Sequence, residues 1–276
     1  MNRRNTSGLS LAINKTMASY TMGKPLVEKG HLTEFTIKIA NTLEERQAAF
    51  QLSYQVYLEK GFISENPNEM LVHQYDSNAD TVVLIVQDQF KNVAGSVTIV
   101  FDGTAKLPAE KIYRDEIKAL RDQGHRMAEL SRLVVSPEYR NSKEILVLLF
   151  NYAAVYIRHV KRYNGLSIQV NPRHKNYYKS LLNFDEVGGL KPCPQVQNAP
   201  AVLLYMTDVK FDYELNKHRG SSGMENKDHS PYQYFLKVEQ EKLVAYYLQK
   251  QFKPMTAEEK LYFGFTTSGK GQAVAV

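Results

Sequence analysis

The chain has 276 residues, 43% of them hydrophobic and 23% charged, which is typical of a globular protein with one sizeable core. The net charge of +6 favours an anionic partner, but the lysines and arginines are dispersed, which argues against nucleic-acid binding. No apolar run approaches the roughly 20 residues that span a membrane, so no stable membrane insertion is expected. The single cysteine, Cys193 in a predicted loop at 191–194, excludes an intramolecular disulfide and favours a cytoplasmic location. No zinc-ligand spacing, Walker loop or dinucleotide-binding fingerprint occurs, so we expect no metal and no permanently bound cofactor.

The N-terminal half predicts a flexible arm followed by strands and helices. Residues 1–33 lack a sustained apolar period, which is typical of such an arm. Thr42 caps a helix that Gly61 ends, and two β-branched runs around a polar turn predict a hairpin. The predicted elements are, in order, a strand at 35–40, a helix at 42–61, strands at 81–86 and 93–101, and a helix at 110–121.

The second half continues this alternation and then changes in composition. Its predicted elements are a strand around 128–135, a helix at 144–163, a strand at 166–170, a helix at 172–182 and a strand at 201–207. The whole order predicts an α/β domain at 34–208, with helices flanking one mixed sheet. After a polar linker at 217–230, a helical pattern at 232–252 predicts that residues 209–276 form a C-terminal helical extension packed on that domain.

The most informative residues are Glu129, Ser131 and Arg132, which lie on a strand predicted to be buried. A buried charge costs several kcal/mol unless it is paired or used. Burial also raises the pKa of a carboxyl, so Glu129 is a candidate general base, with a structural ion pair to Arg132 or another cation as the alternative. Side chains alternate along a strand, so the three residues converge only if a β-bulge intervenes. In a regular strand Arg132 could instead pair with Asp76 or Glu116.

The turn after this strand predicts an anion site. Arg140, Ser142 and Lys143 lie where the next helix begins, and helix-start N–H groups favour a phosphate, although a solvated helix cap is the alternative. A second basic set could dock an acidic carrier protein or could simply be solvated charges at helix ends. This set comprises Arg158, Lys161, Arg162, Arg173 and Lys175.

The element order resembles the fold of GCN5-related N-acetyltransferases. The landmarks Arg46, Phe50, Tyr57, Tyr75-Asp76, Gly95 and Glu129-Leu130-Ser131-Arg132 resemble those of acyl-homoserine-lactone synthases. The segments at 95–100, 107–110, 116–126 and 128–140 resemble more closely the long-chain N-acyl amino acid synthases, and the likeness covers roughly 35–207. The lactone synthases usually carry an arginine where this chain has Val97-Thr98-Ile99 and an acidic residue where it has Ala79. Both departures favour the amino acid synthases.

The resemblance implies an N-acyltransferase that moves a long-chain fatty acyl group from acyl carrier protein to the amine of an amino acid. The donor is then a 4′-phosphopantetheine thioester, and the N-acyl amino acid product is a bacterial signalling lipid. Glu129 is implied as the base, with Ser131 and Arg132 beside it in the catalytic set. The implied donor-binding residues are Leu133, Val134, Val135, Arg140, Ser142 and Lys143. The implied acyl-pocket or acceptor residues are Arg46, Phe50, Tyr54, Tyr57 and Asp76.

Three alternatives stay open at this point. The chain could be an acyl-homoserine-lactone synthase or an acetyl-CoA-dependent N-acetyltransferase. It could also be a non-catalytic module that binds acyl carrier protein or fatty acyl chains.

Overall fold

The computed structural model describes residues 35–103, 106–218 and 230–265. The predicted arm at 1–33 lies outside the described residues, as does most of the predicted linker. Among the described helices, none is both long and apolar enough to cross a membrane.

One mixed sheet of seven strands runs through the described part of the chain. The strands are β1 (Thr36–Ile39), β2 (Val82–Gln87), β3 (Val93–Phe101), β4 (Met127–Val135), β5 (Gly165–Val170), β6 (Asp185–Cys193) and β7 (Ala199–Thr207). Their spatial order is β1-β2-β3-β4-β5-β7-β6, and every neighbouring pair is antiparallel except β4 and β5. The predicted fold class, a mixed sheet flanked by helices, is confirmed.

Helices cover both faces of this sheet. They are α1 (Leu43–Glu59), α2 (Arg114–Asp122), α3 (Lys143–Val155), α4 (Pro172–Leu181), α5 (Asp208–His218), α6 (Val238–Gln251) and α7 (Ala257–Tyr262). Alternate residues of β2 face opposite sides: Val83 packs with α1, whereas Leu84 lies in the larger core beneath α3. Gly95 allows α3 to lie close to the sheet, because a Cβ there would come 2.6 Å from Cγ2 of Ile145.

Several elements differ from the predicted ones. The helix predicted at 110–121 is a 3-10 turn at Pro108–Lys111 followed by α2, and the helix predicted at 144–163 widens into a π-helical turn at Tyr156–Val160. The predicted loop around Cys193 is wrong, because this residue ends β6. Among the described strands, β6 pairs with β7 alone. Its register shifts on both sides of Gly188, so no regular alternation marks it in the sequence.

The C-terminal helices pack on the sheet domain. Val244 and Leu248 of α6 belong to the same buried core as the strands and α3. Phe263, just after α7, meets the ring of Phe50 on α1 edge-on at 5.1 Å between centroids. The predicted helical extension is therefore present and covers part of both faces.

Candidate active site

The site forms where the two parallel strands separate. Register pairs between β4 and β5 end at Leu130 and Ile168, although β4 continues to Val135. Ser131 and Gln169 lie just beyond the last pair, and both line a cleft with about 760 Å³ of empty space, open solvent included. Backbone groups of β4 that face this gap have no partner strand there, so they can bind an extended ligand.

A β-bulge in β4 sets the direction of the charged side chains. On β3, Ser96 pairs with Val134 while Thr98 pairs with Ser131, so β4 has one extra residue between the two pairs. Arg132 occupies the bulge with a φ of 50°, in the left-handed region. Its side chain therefore lies on the same face as Ser131, next to Thr98. The β-bulge expected to be necessary for Glu129, Ser131 and Arg132 to lie on one face is therefore present.

Glu129 is a buried carboxyl in the wall of the cleft. It is 2% exposed, and its Oε2 accepts a hydrogen bond from the backbone N–H of Ala109 at 2.9 Å. Burial raises the pKa of Glu129 to about 8; the Ala109 hydrogen bond opposes this rise and the charge of Glu110 adds to it. A carboxyl with this pKa exchanges its proton near neutral pH, which suits a general base.

The Arg132 side chain links β4 to the segment at 71–76. Its side chain and that of Asp76 are 2% and 0% exposed, and the two form a bidentate ion pair, with Nη1 2.9 Å from Oδ2. The remaining terminal N–H groups donate to the carbonyl of Leu71 at 2.6 Å and to Oγ1 of Thr98 at 2.8 Å. Burial lowers the pKa of Arg132, but the charge and hydrogen bond of Asp76, together with the nearby Tyr75 and Tyr57 hydroxyls, outweigh burial and keep this pKa above its ordinary value. The expected alternative of an ion pair between Glu129 and Arg132 is therefore wrong, because Asp76 takes the guanidinium.

A hydroxyl pair and a neutral histidine complete this part of the cleft. The Tyr75 hydroxyl lies 3.0 Å from Oγ of Ser131, and burial raises the pKa of Tyr75, so its phenol stays protonated. The His73 ring lies 5.1 Å from the Tyr75 ring, and burial lowers the pKa of His73 to about 3. Sequence reasoning missed His73, and its only signal was its place two residues before the recognised Tyr75-Asp76 landmark.

The residues of β4 predicted to bind the donor follow those that line the cleft. Leu133 and Val135 are half-buried and Val134 is buried, all beyond the point where β5 separates. Arg140 is exposed on the following turn and pairs with Glu59 at 3.0 Å. The predicted anion-binding turn therefore lies at the open end of the strand gap, but its arginine already has an acidic partner.

Ser142 caps the helix that starts after this turn. The Ser142 hydroxyl accepts a hydrogen bond from the backbone N–H of Ile145, so α3 begins at Lys143, which is exposed. The helix-cap alternative for Ser142 is thus observed, and a phosphate role for these residues stays a prediction.

Other basic residues, which the sequence had not associated with this turn, lie nearby. Partial burial lowers the pKa of Lys60, at the end of α1, and the positive charges of Arg173 and Arg140 lower it further. Arg173 lies at the start of α4, with its guanidinium 5.7 Å from the ring of Phe62. Three positive charges from three different elements are therefore close enough to interact at this end of the sheet.

The family model for the N-acyl amino acid synthase FeeM matches residues 48–207 of the chain. The chain belongs to the FeeM family of N-acyl amino acid synthases. It is thus an acyltransferase, and the predicted family is confirmed.

Solved structures show the same fold. FeeM from uncultured soil microbes is 22% identical to this FeeM-family chain, and the match covers 66% of this chain and 94% of FeeM with a TM-score of 0.57. TofI, solved in a ternary complex with an inhibitor and MTA, is 14% identical to this chain. The match covers 66% of this chain and 96% of TofI, with a TM-score of 0.51. No curated protein matches the chain.

The residues predicted for the acyl pocket or acceptor of this FeeM-family chain do not come together. Tyr57 lines the cleft, whereas Tyr54 is buried and its hydroxyl accepts a hydrogen bond from the backbone of Asn66. Asp76 is neutralised by Arg132.

Arg46 and Phe50, one turn apart on α1, face the C-terminal extension instead of the cleft. Arg46 pairs with the buried Glu259, and the Phe50 ring packs between Phe263 and the guanidinium of Arg132. Neither residue lines the candidate active-site cleft, because helical periodicity directs both side chains toward the extension, and their acyl-pocket or acceptor role stays a prediction.

The predicted carrier-docking residues also divide into two groups. Arg158, Lys161 and Arg162 precede β5, and Arg173 and Lys175 follow it, so the strand separates them. In the first group Arg158 pairs with Asp212 and Lys161 with Asp80; in the second Lys175 pairs with Glu186. The five residues do not form one basic face.

Proposed function

We propose that this chain transfers a long-chain fatty acyl group from acyl carrier protein to the amine of an amino acid, which yields an N-acyl amino acid. The observation that carries the proposal is Glu129, a buried carboxyl with a pKa of about 8 beside the open edge of a strand. Family membership supports an acyl thioester as donor and an amine as acceptor. A cytoplasmic enzyme with no metal and no permanently bound cofactor is part of the same proposal.

Glu129 is the general base in this scheme. An amine attacks a thioester only as its neutral form, so a proton must leave the nitrogen. The Glu129 carboxylate accepts this proton directly or through a water, the new C–N bond forms, and the C–S bond breaks as the carrier's thiolate leaves. General-base catalysis of this kind contributes roughly 10²- to 10⁴-fold to the rate.

The hydroxyl pair supplies stabilisation of the oxyanion. Ser131 and Tyr75 line the same cleft as Glu129, and their oxygens are 3.0 Å apart. One hydroxyl donates to the other, which leaves one O–H free to donate to the negative oxygen of the tetrahedral intermediate. In this scheme Arg132 is a positioning residue, since its terminal N–H groups hold Asp76, Leu71 and Thr98.

The donor arm fits the gap between the two parallel strands. An extended phosphopantetheine arm can hydrogen-bond to the free backbone edge of Leu133, Val134 and Val135, as an added strand would. Its phosphate then lies near Arg140 and Ser142. Lys60 and Arg173 add positive charge at the same end, where an acidic carrier protein is attracted.

Product analysis by mass spectrometry tests this function. The purified protein is incubated with long-chain acyl–acyl carrier protein and a panel of amino acids, and in parallel with the matched acyl-CoA and with acetyl-CoA. We expect an N-acyl amino acid from the carrier-bound donor. A product from acetyl-CoA alone supports the acetyltransferase alternative, and binding of the carrier with no product from any donor supports the non-catalytic alternative; both results contradict the proposal.

A further inference from the structure

The segment Lys253–Phe265, named here the C-terminal segment, lies beyond the family match at 48–207 and is fixed to the start of α1. Arg46 is buried, and its guanidinium pairs with Glu259 and donates to the carbonyl of Lys253 at 2.7 Å. The backbone N–H of Lys253 donates to Oδ1 of Asn41 at 3.0 Å. A buried arginine that binds both the start of this segment at Lys253 and Glu259 of α7 makes the segment a defined part of the fold.

The end of the C-terminal segment turns back into the protein. Gly264 has a φ of 81°, which glycine adopts readily, and the backbone N–H of Phe265 donates to the carbonyl of Lys260 at 2.8 Å. Phe263 and Phe265 are consequently buried in one cluster with Phe50. Tyr262 is 50% exposed, and its hydroxyl lies 3.1 Å from Gln47 of α1.

A second cleft lies between the C-terminal segment and the loop at 62–74. Tyr262, Phe263 and Phe265 form one of its walls. This cleft shares four lining residues with the candidate active site, and these are Phe62, Leu71, His73 and Gln195. The two clefts are therefore adjacent, with these four side chains bordering both.

The walls of the second cleft are almost free of charge. Among its described lining residues, only Glu65 carries a formal charge near neutral pH, because burial lowers the pKa of His73 to about 3. Apolar side chains such as Met70 and Phe265 lie beside amides such as Asn66 and Gln195. The phosphate of the donor needs the positive charges near Arg140, which the described lining of the second cleft lacks. A fatty acyl chain would leave the amides of this cleft without a hydrogen-bond partner, whereas an uncharged amino acid side chain can lie beside them.

We propose that the second cleft is the acceptor subsite, and that the C-terminal segment selects the acceptor by receiving its uncharged side chain. This inference rests on the proposed function. It assigns acceptor selection to residues that the family match does not contain.

Acceptor profiles of two variants test the inference. Tyr262→Ala removes an exposed wall of the cleft, and Leu261→Ala is the matched control, since Leu261 is 74% exposed on the same helix and does not line the cleft. With one acyl-carrier donor, kcat/KM is measured for small, bulky uncharged, acidic and basic amino acids. We expect the wild type to prefer bulky uncharged acceptors. Tyr262→Ala should reduce that preference at least fivefold through the acceptor KM, with the donor KM unchanged, and Leu261→Ala should leave the profile as it is.

The outcomes separate this inference from the function on which it rests. Unchanged selectivity in both Tyr262→Ala and Phe265→Ala, or a wild-type preference for charged acceptors, overturns the inference while the acyl transfer stands. Absence of an N-acyl product from the wild type with every acceptor overturns both. The melting temperature of Tyr262→Ala, expected to be close to that of the wild type, excludes unfolding as the cause of a changed profile.

Discussion

Replacement of Asp76 by asparagine tests whether the buried ion pair holds the 71–76 segment on β4. The substitution keeps the size of the side chain but removes its negative charge. Arg132 then stays buried and positively charged, with its hydrogen bonds to Leu71 and Thr98 intact. The substitution therefore leaves the buried positive charge of Arg132 without its ion-pair partner.

The expected effect is large because both partners are inaccessible to water, at 2% and 0% exposure. Removal of one partner of a buried pair typically costs about 3–5 kcal/mol. Proteins of ordinary stability have a free energy of unfolding of about 5–15 kcal/mol, so this loss is a considerable part of the total. The i,i+4 pair Lys118–Asp122, at 67% and 62% exposure, is a matched control, and Asp122→Asn should cost only about 0.3–0.5 kcal/mol.

Urea unfolding followed by circular dichroism measures both variants. We expect Asp76→Asn to lower the free energy of unfolding by about 3–5 kcal/mol. Replacing both partners with apolar residues, as in Asp76→Leu with Arg132→Met, should recover part of the loss, because no unpaired charge is left. A loss below about 1 kcal/mol in Asp76→Asn, no larger than that of an exposed pair, would refute the assignment of Arg132 as a structural cation.

Three further predictions follow from the same contacts. The raised pKa of Glu129 means that its stabilising contribution is complete below its ordinary pKa of 4.5 and is lost as the pH rises toward 8. As the pH rises through this interval, the free energy of unfolding of Glu129→Gln should therefore increase relative to that of the wild type by roughly 1.4 kcal/mol per pH unit. Urea unfolding of both proteins at pH 5 and pH 8.5 measures this difference, and equal changes in the two proteins would contradict the burial of an ionising carboxyl. Tyr75→Phe combined with Ser131→Ala removes both hydroxyls of the pair and should lower kcat about 10²-fold or more with the donor KM unchanged. A single-turnover rate equal to that of the wild type would show that the pair has no catalytic role. Gly95→Ala should cost about 1–3 kcal/mol because its Cβ would clash with Ile145, whereas Gly103→Ala, with nothing within 4 Å of the added Cβ, should cost little in the same urea-unfolding measurement.

Much of the fold could be predicted because local patterns specify it. The cap at Thr42 and the left-handed Gly61 delimit α1, as expected from their residue types. The edge strand β6 could not be predicted, because Gly188, Gly189 and Pro192 interrupt its pattern and only pairing with β7 makes it a strand.

The candidate site could be predicted in part. Glu129 and Ser131 are recognisable from one strand, because a buried acid and a hydroxyl two residues apart share a face. The pairing of Arg132 with Asp76 could be anticipated only as one alternative, since it depends on the bulge. The role of Arg46 could not be predicted, because its partner Glu259 is 213 positions away and the two meet only in the packed protein.

The central claim is that Glu129 takes the proton from the acceptor amine. The pH dependence of kcat/KM for the acyl-carrier donor, measured for the wild type and for Glu129→Gln, tests it most directly, with the exposed Glu138→Gln as the matched control. We expect the wild-type kcat/KM to rise with increasing pH around a pKa near 8. Glu129→Gln should lack this rise and be about 10²- to 10⁴-fold slower, and Glu138→Gln should behave as the wild type. A Glu129→Gln profile that keeps both the rise and the wild-type rate would contradict the claim.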